Sequence, residues 1–533
     1  MSVIVRKATA RDAEGWIDLL RRTYGSDGVA EQVYDLGRVA AQLTGPNVEE
    51  TWVAEAEGQL RASISILGSG LPNANPVANL GRYVALPESY SDGSAEALVR
   101  GINSVCLERR QMAITRVAAS DINQQVLLEQ LGYVCVGFQP LKHLGMVREG
   151  VLFYLRMGQP EPAVRLPMSQ SLPQIGELAG AVLRDLQVPN PPIVRDGLTG
   201  YPLQTELSIQ ECGVDSFDAA KIQGASEALP PEVSGYFNRG LGLLRVSGDA
   251  QLRMLLGQRF LRIAAGMSFF VDDRDKCVRV VESFAFDELS SGAMLQHVVR
   301  LTQEALNAVY LEVDFLMTAP RILKSAEQLG FVPVAYLPGF WNRDGVGVDL
   351  VKMVKLNASY TLDHVNLTPQ ARAMVDLVDR NFQDQKVGVA VIGLLRQLPA
   401  FAGLGDGELG KIARLFSQKL YRPGERVFEK GDYSNEAYVV MRGQIDIFLE
   451  DAVRPVGSVG NGAIFGEQAF LEGTPRSARA VAAQPSILLV VQRASFNTLI
   501  QTEPHLGMVI MRNMAVEVSN KLRKADAMIA ARA

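Results

Sequence analysis

The stretch that most constrains how this chain folds lies near its end. Phe465-Gly466-Glu467-Gln468-Ala469-Phe470-Leu471 passes through Glu472-Gly473-Thr474 into Pro475-Arg476-Ser477-Ala478. A glycine admits close backbone approach, a short apolar helical turn offers unpaired N–H groups at its start, and an arginine follows whose planar fork of donors suits an anion. The glutamate fits a different part of a ligand. A carboxylate accepts from a sugar hydroxyl and repels a phosphate, so Glu467 beside Arg476 points to a ligand holding both groups, a nucleotide. Upstream, Tyr421-Arg422-Pro423-Gly424-Glu425 leads to Gly431-Asp432, then Tyr438-Val439-Val440 to Gly443 and the alternating Ile445, Ile447 and Leu449. Short strands with glycine turns are what a small β-roll requires.

This segment resembles the phosphate-binding cassette of cyclic-nucleotide-binding domains, whose pattern is Phe-Gly-Glu-aliphatic-Ala-Leu, a short spacer, then Pro-Arg-(Ser/Thr/Ala)-Ala. By position, the resemblance implies that Glu467 accepts from the ribose 2′-hydroxyl and Arg476 pairs with the cyclic phosphate. It also implies that Gly466, Ser477 and Ala478 supply further donors, and it places Phe465 and Gln468 among the residues of the binding site. Gln468 stands where an aliphatic residue is usual. The implied regulatory ligand is cAMP or cGMP, and Ser477 does not choose between them. The plainer alternative is a jelly roll whose Arg476 pairs with a surface carboxylate.

The length, 533 residues, fits about three domains, and 47% apolar content is ample for packed cores. The N-terminus, Met1 to Lys7, lacks the apolar core of a signal peptide, and the longest apolar run, Val387 to Leu395, is far short of a membrane span. A cytoplasmic location and no membrane partner are the expectation. Cys106, Cys135, Cys212 and Cys277 are scattered without a Cys-x-x-Cys pair, and His143, His297, His364 and His505 stand apart, so no metal is expected. A net charge of −5 without a basic stripe gives no reason to expect nucleic acid.

The first 150 or so residues show a strand (Val3 to Arg6), a capped amphipathic helix with Trp16, Leu19, Leu20 and Tyr24 on its apolar face, and two strands joined at Glu57-Gly58. A further apolar run from Arg82 to Leu86 ends at Pro87, and a loop holding Gly93 opens a helix from Ser94 to Arg109. Strand, glycine loop, helix is an arrangement that offers helix N–H groups to phosphate. It resembles the GNAT-type N-acetyltransferase fold, whose acetyl-CoA fingerprint Val-x-Pro-x-x-(Gln/Arg)-x-x-Gly-x-(Gly/Ala) reads here Ala85-x-Pro87-x-x-Tyr90-x-x-Gly93-x-Ala95. The resemblance implies acetyl-CoA contacts from Tyr90, Asp92, Gly93, Ser94 and Ala95. Tyr90 replaces the Gln or Arg, Asp92 adds a negative charge, and Leu128 stands where a tyrosine acid is often found. Glu88 and Glu55 are the carboxylates that could act as base, but strand-end carboxylates are more often solvated surface, so the catalytic residues stay unassigned.

Glu129-Gln130-Leu131-Gly132-Tyr133-Val134 recurs as Glu327-Gln328-Leu329-Gly330-Phe331-Val332, an offset of 198 residues, and Gly93 finds a counterpart in Gly292 at 199. The pattern reads as a duplicated domain. The second copy is degenerate, with Phe284-x-Phe286-x-x-Leu289-x-x-Gly292-x-Met294 at the fingerprint and Ala326 at the tyrosine place.

The expected organisation is multidomain α/β: residues 1–157 and 201–360 as two GNAT-like α/β domains, 158–200 as a Pro-rich linker with a helical piece from Ile175 to Leu186, 361–393 as a helical connector, and 394–533 as an antiparallel β-roll with flanking helices. The connector opens at Thr368-Pro369, and a last helix from about Pro504 to Ala530 carries Met511, Met514, Val518, Leu522, Ala525 and Ile529 at spacings of three and four. That stripe could pack on its own β-roll or form a homodimer seam. No helix-turn-helix follows it, so a transcription factor is not the expectation. The reading is a cyclic-nucleotide sensor regulating an attached acyltransferase that uses acetyl-CoA and a protein or small-amine acceptor. The alternative is a non-enzymatic nucleotide-binding regulator or scaffold with a pseudo-acetyltransferase front half.

Overall fold

The computed structural model describes residues 3–25, 34–44, 49–67, 77–144, 147–158, 165–166, 171–189, 198–203, 206–224, 226–236, 250–343, 346–413, 415–449 and 454–530. The chain divides into two compact units, Met1–Phe382 and Gln383–Ala533. Among the described residues no helix is long and apolar enough to cross a membrane.

The N-terminal unit is built on one sheet of 14 strands. Seven come from its first part: β1 (Val3–Lys7), β2 (Glu49–Ala56), β3 (Gln59–Leu67), β4 (Val77–Ala85), β5 (Met112–Ala118), β6 (Val134–Leu144) and β7 (Val147–Arg156). Seven come from its second: β8 (Ser208–Cys212), β9 (Gln251–Arg259), β10 (Arg262–Asp272), β11 (Cys277–Ala285), β12 (Tyr310–Leu316), β13 (Val332–Arg343) and β14 (Val346–Leu356). The spatial order is β1-β2-β3-β4-β5-β7-β6 and then β13-β14-β12-β11-β10-β9-β8. Read outward from the middle, both halves therefore run in the same order. In each half one neighbouring pair is parallel, β4 with β5 and β11 with β12, and the helix between those strands makes the crossover that a parallel pair requires. The first of these helices, Ser94–Glu108, buries Leu98, Val99, Ile102 and Cys106, an apolar stripe at helical spacing.

The halves meet where Gly137 of β6 pairs with Ala335 of β13. Glycine is needed there for space, since a Cβ at 137 would lie 2.3 Å from the Ala335 Cβ and 2.4 Å from the Val334 carbonyl oxygen. Beside the junction lies a buried charge cluster. Lys142 of β6 donates to Glu312 of β12 at 3.0 Å, Gln139 donates to the same carboxylate at 3.0 Å, and Arg279 ion-pairs with it at 2.7 Å. Lys142, Arg279 and Glu312 are each no more than 3% exposed. Burial by itself would raise the Glu312 pKa; Lys142, Lys352 and Arg279 outweigh it and hold the group well below the usual carboxylate range.

Three sequence expectations are corrected. The helical piece expected within the Pro-rich segment is present, but it is a packed element of the N-terminal unit and not a detached part of a linker. The helix Pro173–Asp185 packs on β13 and β6 and buries Ile175, Leu178, Ala179, Val182 and Leu183. The four larger side chains, Ile175, Leu178, Val182 and Leu183, are worth about 1.5–3 kcal/mol each on burial, enough to make this a core element over the junction. Arg165 and the chain next to it are fastened as well, by an ion pair to buried Asp349 at 2.9 Å and by Leu166 N–H to the Gly347 carbonyl. Pro160, Pro162, Pro167, Pro191 and Pro192 lie outside the described residues.

The connector and the entry helix of the C-terminal unit are one helix, Pro369–Gln397, which Thr368 caps through Oγ1 to the Ala371 N–H. Gly292, third, is not the counterpart of Gly93. It lies inside the helix Glu288–Glu304, whose N-cap is Asp287, only two residues beyond the end of β11.

The C-terminal unit holds two antiparallel four-stranded sheets. One has the order β15 (Phe416–Tyr421), β22 (Ser486–Gln492), β17 (Glu436–Arg442), β20 (Ile464–Phe465); the other has β16 (Arg426–Phe428), β21 (Arg479–Ala482), β18 (Gln444–Phe448), β19 (Gly457–Gly460). Val440, Ile445, Ala480, Leu488 and Val490 fill the space between them. Of the stripe on the helix Pro504–Ala530, Met514 is buried in this unit's core while Met511 is 43% exposed. The side chains of Val518, Leu522, Ala525 and Ile529 lie outside the described residues.

Candidate functional site

The cassette is a two-glycine cradle around a short helix. Gly466, at φ 73°, is the N-cap of the helix Glu467–Glu472, and Gly473, at φ 74°, closes it with its N–H on the Ala469 carbonyl. Both are left-handed conformations, which cost side-chain-bearing residues about 1–2 kcal/mol. Gly466 is required twice over: a Cβ there would lie 2.6 Å from Arg476 Nη1.

Arg476 is 3% exposed. Its Nε donates to Ser434 Oγ at 2.7 Å, Nη1 to the Gly466 carbonyl at 2.8 Å, and Nη2 to the Glu436 carbonyl at 2.6 Å. The guanidinium lies over Phe428 at 4.2 Å and Tyr438 at 5.5 Å, and Tyr438 stacks on Phe465 at 5.1 Å. Phe465 thus contributes a wall and not a donor. The Arg476 main chain is pinned too, its N–H on the Asp432 carbonyl and its own carbonyl accepting from Gly431. Burial pulls the Arg476 pKa below its ordinary value, with Tyr438 and Glu436 opposing, and the group remains charged at neutral pH. Its hydrogen bonds to the Ser434 hydroxyl and the Gly466 and Glu436 carbonyls all go to neutral oxygens, and among the described residues no carboxylate forms an ion pair with it. The alternative of an Arg476 paired with a surface carboxylate is therefore not what the structure holds.

Around this group, Gln468 Oε1 accepts from Ser477 Oγ at 3.4 Å, bridging the start of the helix to the far side of the cassette. Glu467 is the first residue of the helix and half-buried. Sequence reasoning missed Ser434, Glu436, Phe428 and Tyr438. Ser434 comes from the stretch just before β17, Glu436 and Tyr438 from β17 beside β20, and Phe428 from the end of β16 beside β21, and none of these placements has a side-chain signature.

The second candidate region is the loop from β4 to the helix Ser94–Glu108. β4 and β5 pair over only four residues, Val77 with Met112 to Leu80 with Thr115. Beyond that the strands share no ladder. Gly93, at φ 82°, is the helix N-cap, and Ser94 and Ala95 are fully buried. Asp92 Oδ1 accepts from the Ser94 N–H at 2.8 Å, so a carboxylate already takes one donor at the helix start. Burial raises the pKa of Tyr90, with Asp121 adding to the effect. Glu55 is held by Arg6 at 2.8 Å, Glu88 by Arg22 at 2.8 Å and Arg61 at 3.4 Å, and Leu128 is buried. One grouping has the composition of a metal site, Asp272, Asp275 and Cys277. Arg279 and the Tyr310 hydroxyl both bind Asp275, and Lys142 lies 3.9 Å away, so the charge a cation would meet is already matched.

Residues 418–503 match the cyclic nucleotide-binding domain family. The chain is 32% identical over 131 residues to a cyclic AMP receptor protein of Thermus thermophilus, covering 24% of this chain and 59% of that protein. It is 28% identical over 271 residues to Glutaminase 2 of Bradyrhizobium diazoefficiens, covering 49% of this chain and 42% of that protein. A crystal structure of Thermus thermophilus catabolite activator protein is 30% identical, covering 25% of this chain and 62% of that one at a TM-score of 0.23. The chain thus spans between 42% and 62% of the length of these relatives. The C-terminal unit contains a cyclic nucleotide-binding domain, and the cassette lies within the matched residues.

Proposed function

We propose that this protein senses cAMP or cGMP through Arg476 and its cassette, and thereby regulates an attached GNAT-type, acyl-CoA-dependent N-acyltransferase formed by residues 1–157. The observation that carries the sensor is the buried Arg476, a cation whose hydrogen bonds to Ser434, Gly466 and Glu436 go to neutral oxygens and which forms no ion pair among the described residues, the Glu436 and Asp432 carboxylates acting on it only from a distance. Burying a charge without a paired anion costs several kcal/mol, and a cyclic phosphate is the group that would offset what Glu436 and Asp432 leave unmatched. Glu467, at the start of the helix, accepts the ribose hydroxyl in this reading, and Gly466, Ser477 and Ala478 add donors.

The acyltransferase part is supported by the strand order, by the parallel pair that separates after Leu80 and Thr115, and by the Gly93 helix start at that opening. Acetyl-CoA would enter there, along Tyr90, Asp92, Gly93, Ser94 and Ala95, and a protein lysine or small amine would be the acceptor. Regulation follows from linkage: nucleotide shifts the N-terminal unit only as far as it binds one arrangement of the chain better than another.

A second reading, a non-enzymatic regulator with an acetyltransferase-like scaffold, is favoured by the Asp92 cap and by the ion pairs that hold Glu55 and Glu88. Thermal shifts with cAMP, cGMP and acetyl-CoA, singly and in pairs, separate the two. A ligand at ~100 times its Kd adds about 2.7 kcal/mol. Non-additive shifts from nucleotide and acetyl-CoA support the gated enzyme. No acetyl-CoA binding at millimolar ligand, with or without nucleotide, leaves the scaffold. Arg476→Ala is expected to remove the nucleotide shift, and unchanged nucleotide affinity in that variant would refute the sensor.

A further inference from the structure

The hairpin joining β9 to β10 turns on two residues, Phe260 and Leu261, with Arg259 and Arg262 directly opposite each other as the last ladder pair. Phe260 has φ 50° and Leu261 φ 65°, so both central residues are left-handed, the conformation of a type I′ turn. That turn favours Asn-Gly or Asp-Gly, because large side chains are strained at positive φ. Both side chains also face solvent, Phe260 at 88% and Leu261 at 96% exposure. A third conflict lies one step behind: like charges directly opposite on a sheet are destabilising.

The other half shows that the fold does not need this. The equivalent hairpin, β2 to β3, makes the same turn with Glu57 at φ 54° and Gly58 at φ 73°, and it is polar and exposed. Local rules broken together at one exposed tip, and kept at its twin, mark a site where something other than folding sets the sequence.

We propose that the Phe260-Leu261 tip is a membrane-contact point that inserts into the headgroup boundary of an anionic lipid surface. The tip is the end of a two-stranded ribbon, so its occupant must receive a point and not a face; a bilayer interface does so without shape complementarity. The order of chemistry fits. Two apolar side chains lead, and two guanidiniums follow one residue behind, where lipid phosphates lie above the acyl boundary. Asp287 takes part of Arg259 at 3.0 Å, while Arg262 is exposed and forms no ion pair among the described residues. Phosphates between the two arginines would relieve their mutual repulsion. A protein pocket is the competing occupant. The proposal stands apart from the nucleotide and acyl-CoA readings, since it uses none of their residues.

The test is co-sedimentation of the full chain with phosphatidylcholine vesicles and with vesicles of phosphatidylcholine and phosphatidylglycerol at roughly three to one, where the anionic component sets the surface charge. Wild type is expected to pellet with the anionic vesicles and to release as salt rises. F260N/L261G installs the pair this turn favours; it should melt no lower than wild type, yet bind at least about tenfold more weakly through loss of two apolar side chains. Arg262→Gln should weaken binding about fivefold. Wild type that stays in the supernatant, as it would if the tip served a protein pocket, overturns the proposal. So do equal binding to neutral vesicles and unchanged binding by F260N/L261G.

Discussion

The two halves of the N-terminal sheet share a strand order and differ at the joint between the parallel pair's first strand and its helix. In the first half β4 ends at Ala85, a 3-10 turn Pro87–Tyr90 follows, and the helix begins at Ser94 after a left-handed Gly93. In the second, β11 ends at Ala285 and Asp287 already caps the next helix. The lesson is that a strand order survives without the loop. The core needs only a helix that returns the chain to make a parallel neighbour, whereas a phosphate needs a longer loop with a glycine in it. Only the first half keeps that loop, and even there Asp92 occupies part of it.

That contrast can be broken at several strengths. The largest effect is expected at the shared junction. Glu312→Gln leaves Lys142, Arg279 and Lys352 around a neutral group and should destabilise the N-terminal unit by about 3–5 kcal/mol at neutral pH. The sign of its pH dependence follows from a folded pKa held below the ordinary value. The stabilisation is present above the unfolded pKa of about 4.3 and is lost as pH falls below it. Urea melts of wild type and variant should therefore converge in acid; a constant difference would show that the charge is not what matters. Gly137→Val should be comparably severe, because its Cβ has no room against Ala335.

Capping separates the halves next. Asp287 accepts from the Ser290 N–H at 2.8 Å and pairs with Arg259, so Asp287→Ala should cost about 1–2 kcal/mol and leave ligand binding alone. Asp92→Ala should cost about 0.5–1 kcal/mol and, by removing a negative charge from the helix start, tighten acetyl-CoA binding where the first half holds it. Isothermal titration of both variants measures this; equal acetyl-CoA responses would erase the proposed difference between the halves. The smallest effect is at the hairpins. Gly58→Val places a β-branched residue at φ 73° and should cost about 1 kcal/mol, while Leu261→Gly relieves a residue at φ 65° and should stabilise slightly. Melting temperatures moving in the same direction would show that the two turns are not equivalent.

Much of the nucleotide cassette was legible because its chemistry is local. Gly466, Glu467, Gly473 and Arg476 lie within eleven residues of one another, and glycine at positive φ around a short helix is a demand that one short stretch can meet by itself. The helix over the sheet junction was only half legible. Ile175, Leu178, Val182 and Leu183 announce a helix with an apolar face, but the prolines around them read as a linker, and nothing local says that β6 and β13 lie beneath it. Gly292 misled for the same reason: a matching letter at a matching offset carries no record of whether it stands before a helix or inside one.

The sequence alone determined much of which elements form, since periodicity, caps and glycine turns act within a few residues, and it marked the glycine-helix-arginine segment that lies within the cyclic nucleotide-binding domain match. Only the tertiary structure decided that fourteen strands join through Gly137 into one sheet, that Arg476 is buried among neutral oxygens supplied by Ser434, Glu436 and Gly466, and that an aromatic wall of Phe428 and Tyr438 holds it. Those facts depend on strand pairing and on burial, which arise between residues far apart in the chain and have no local periodicity to announce them.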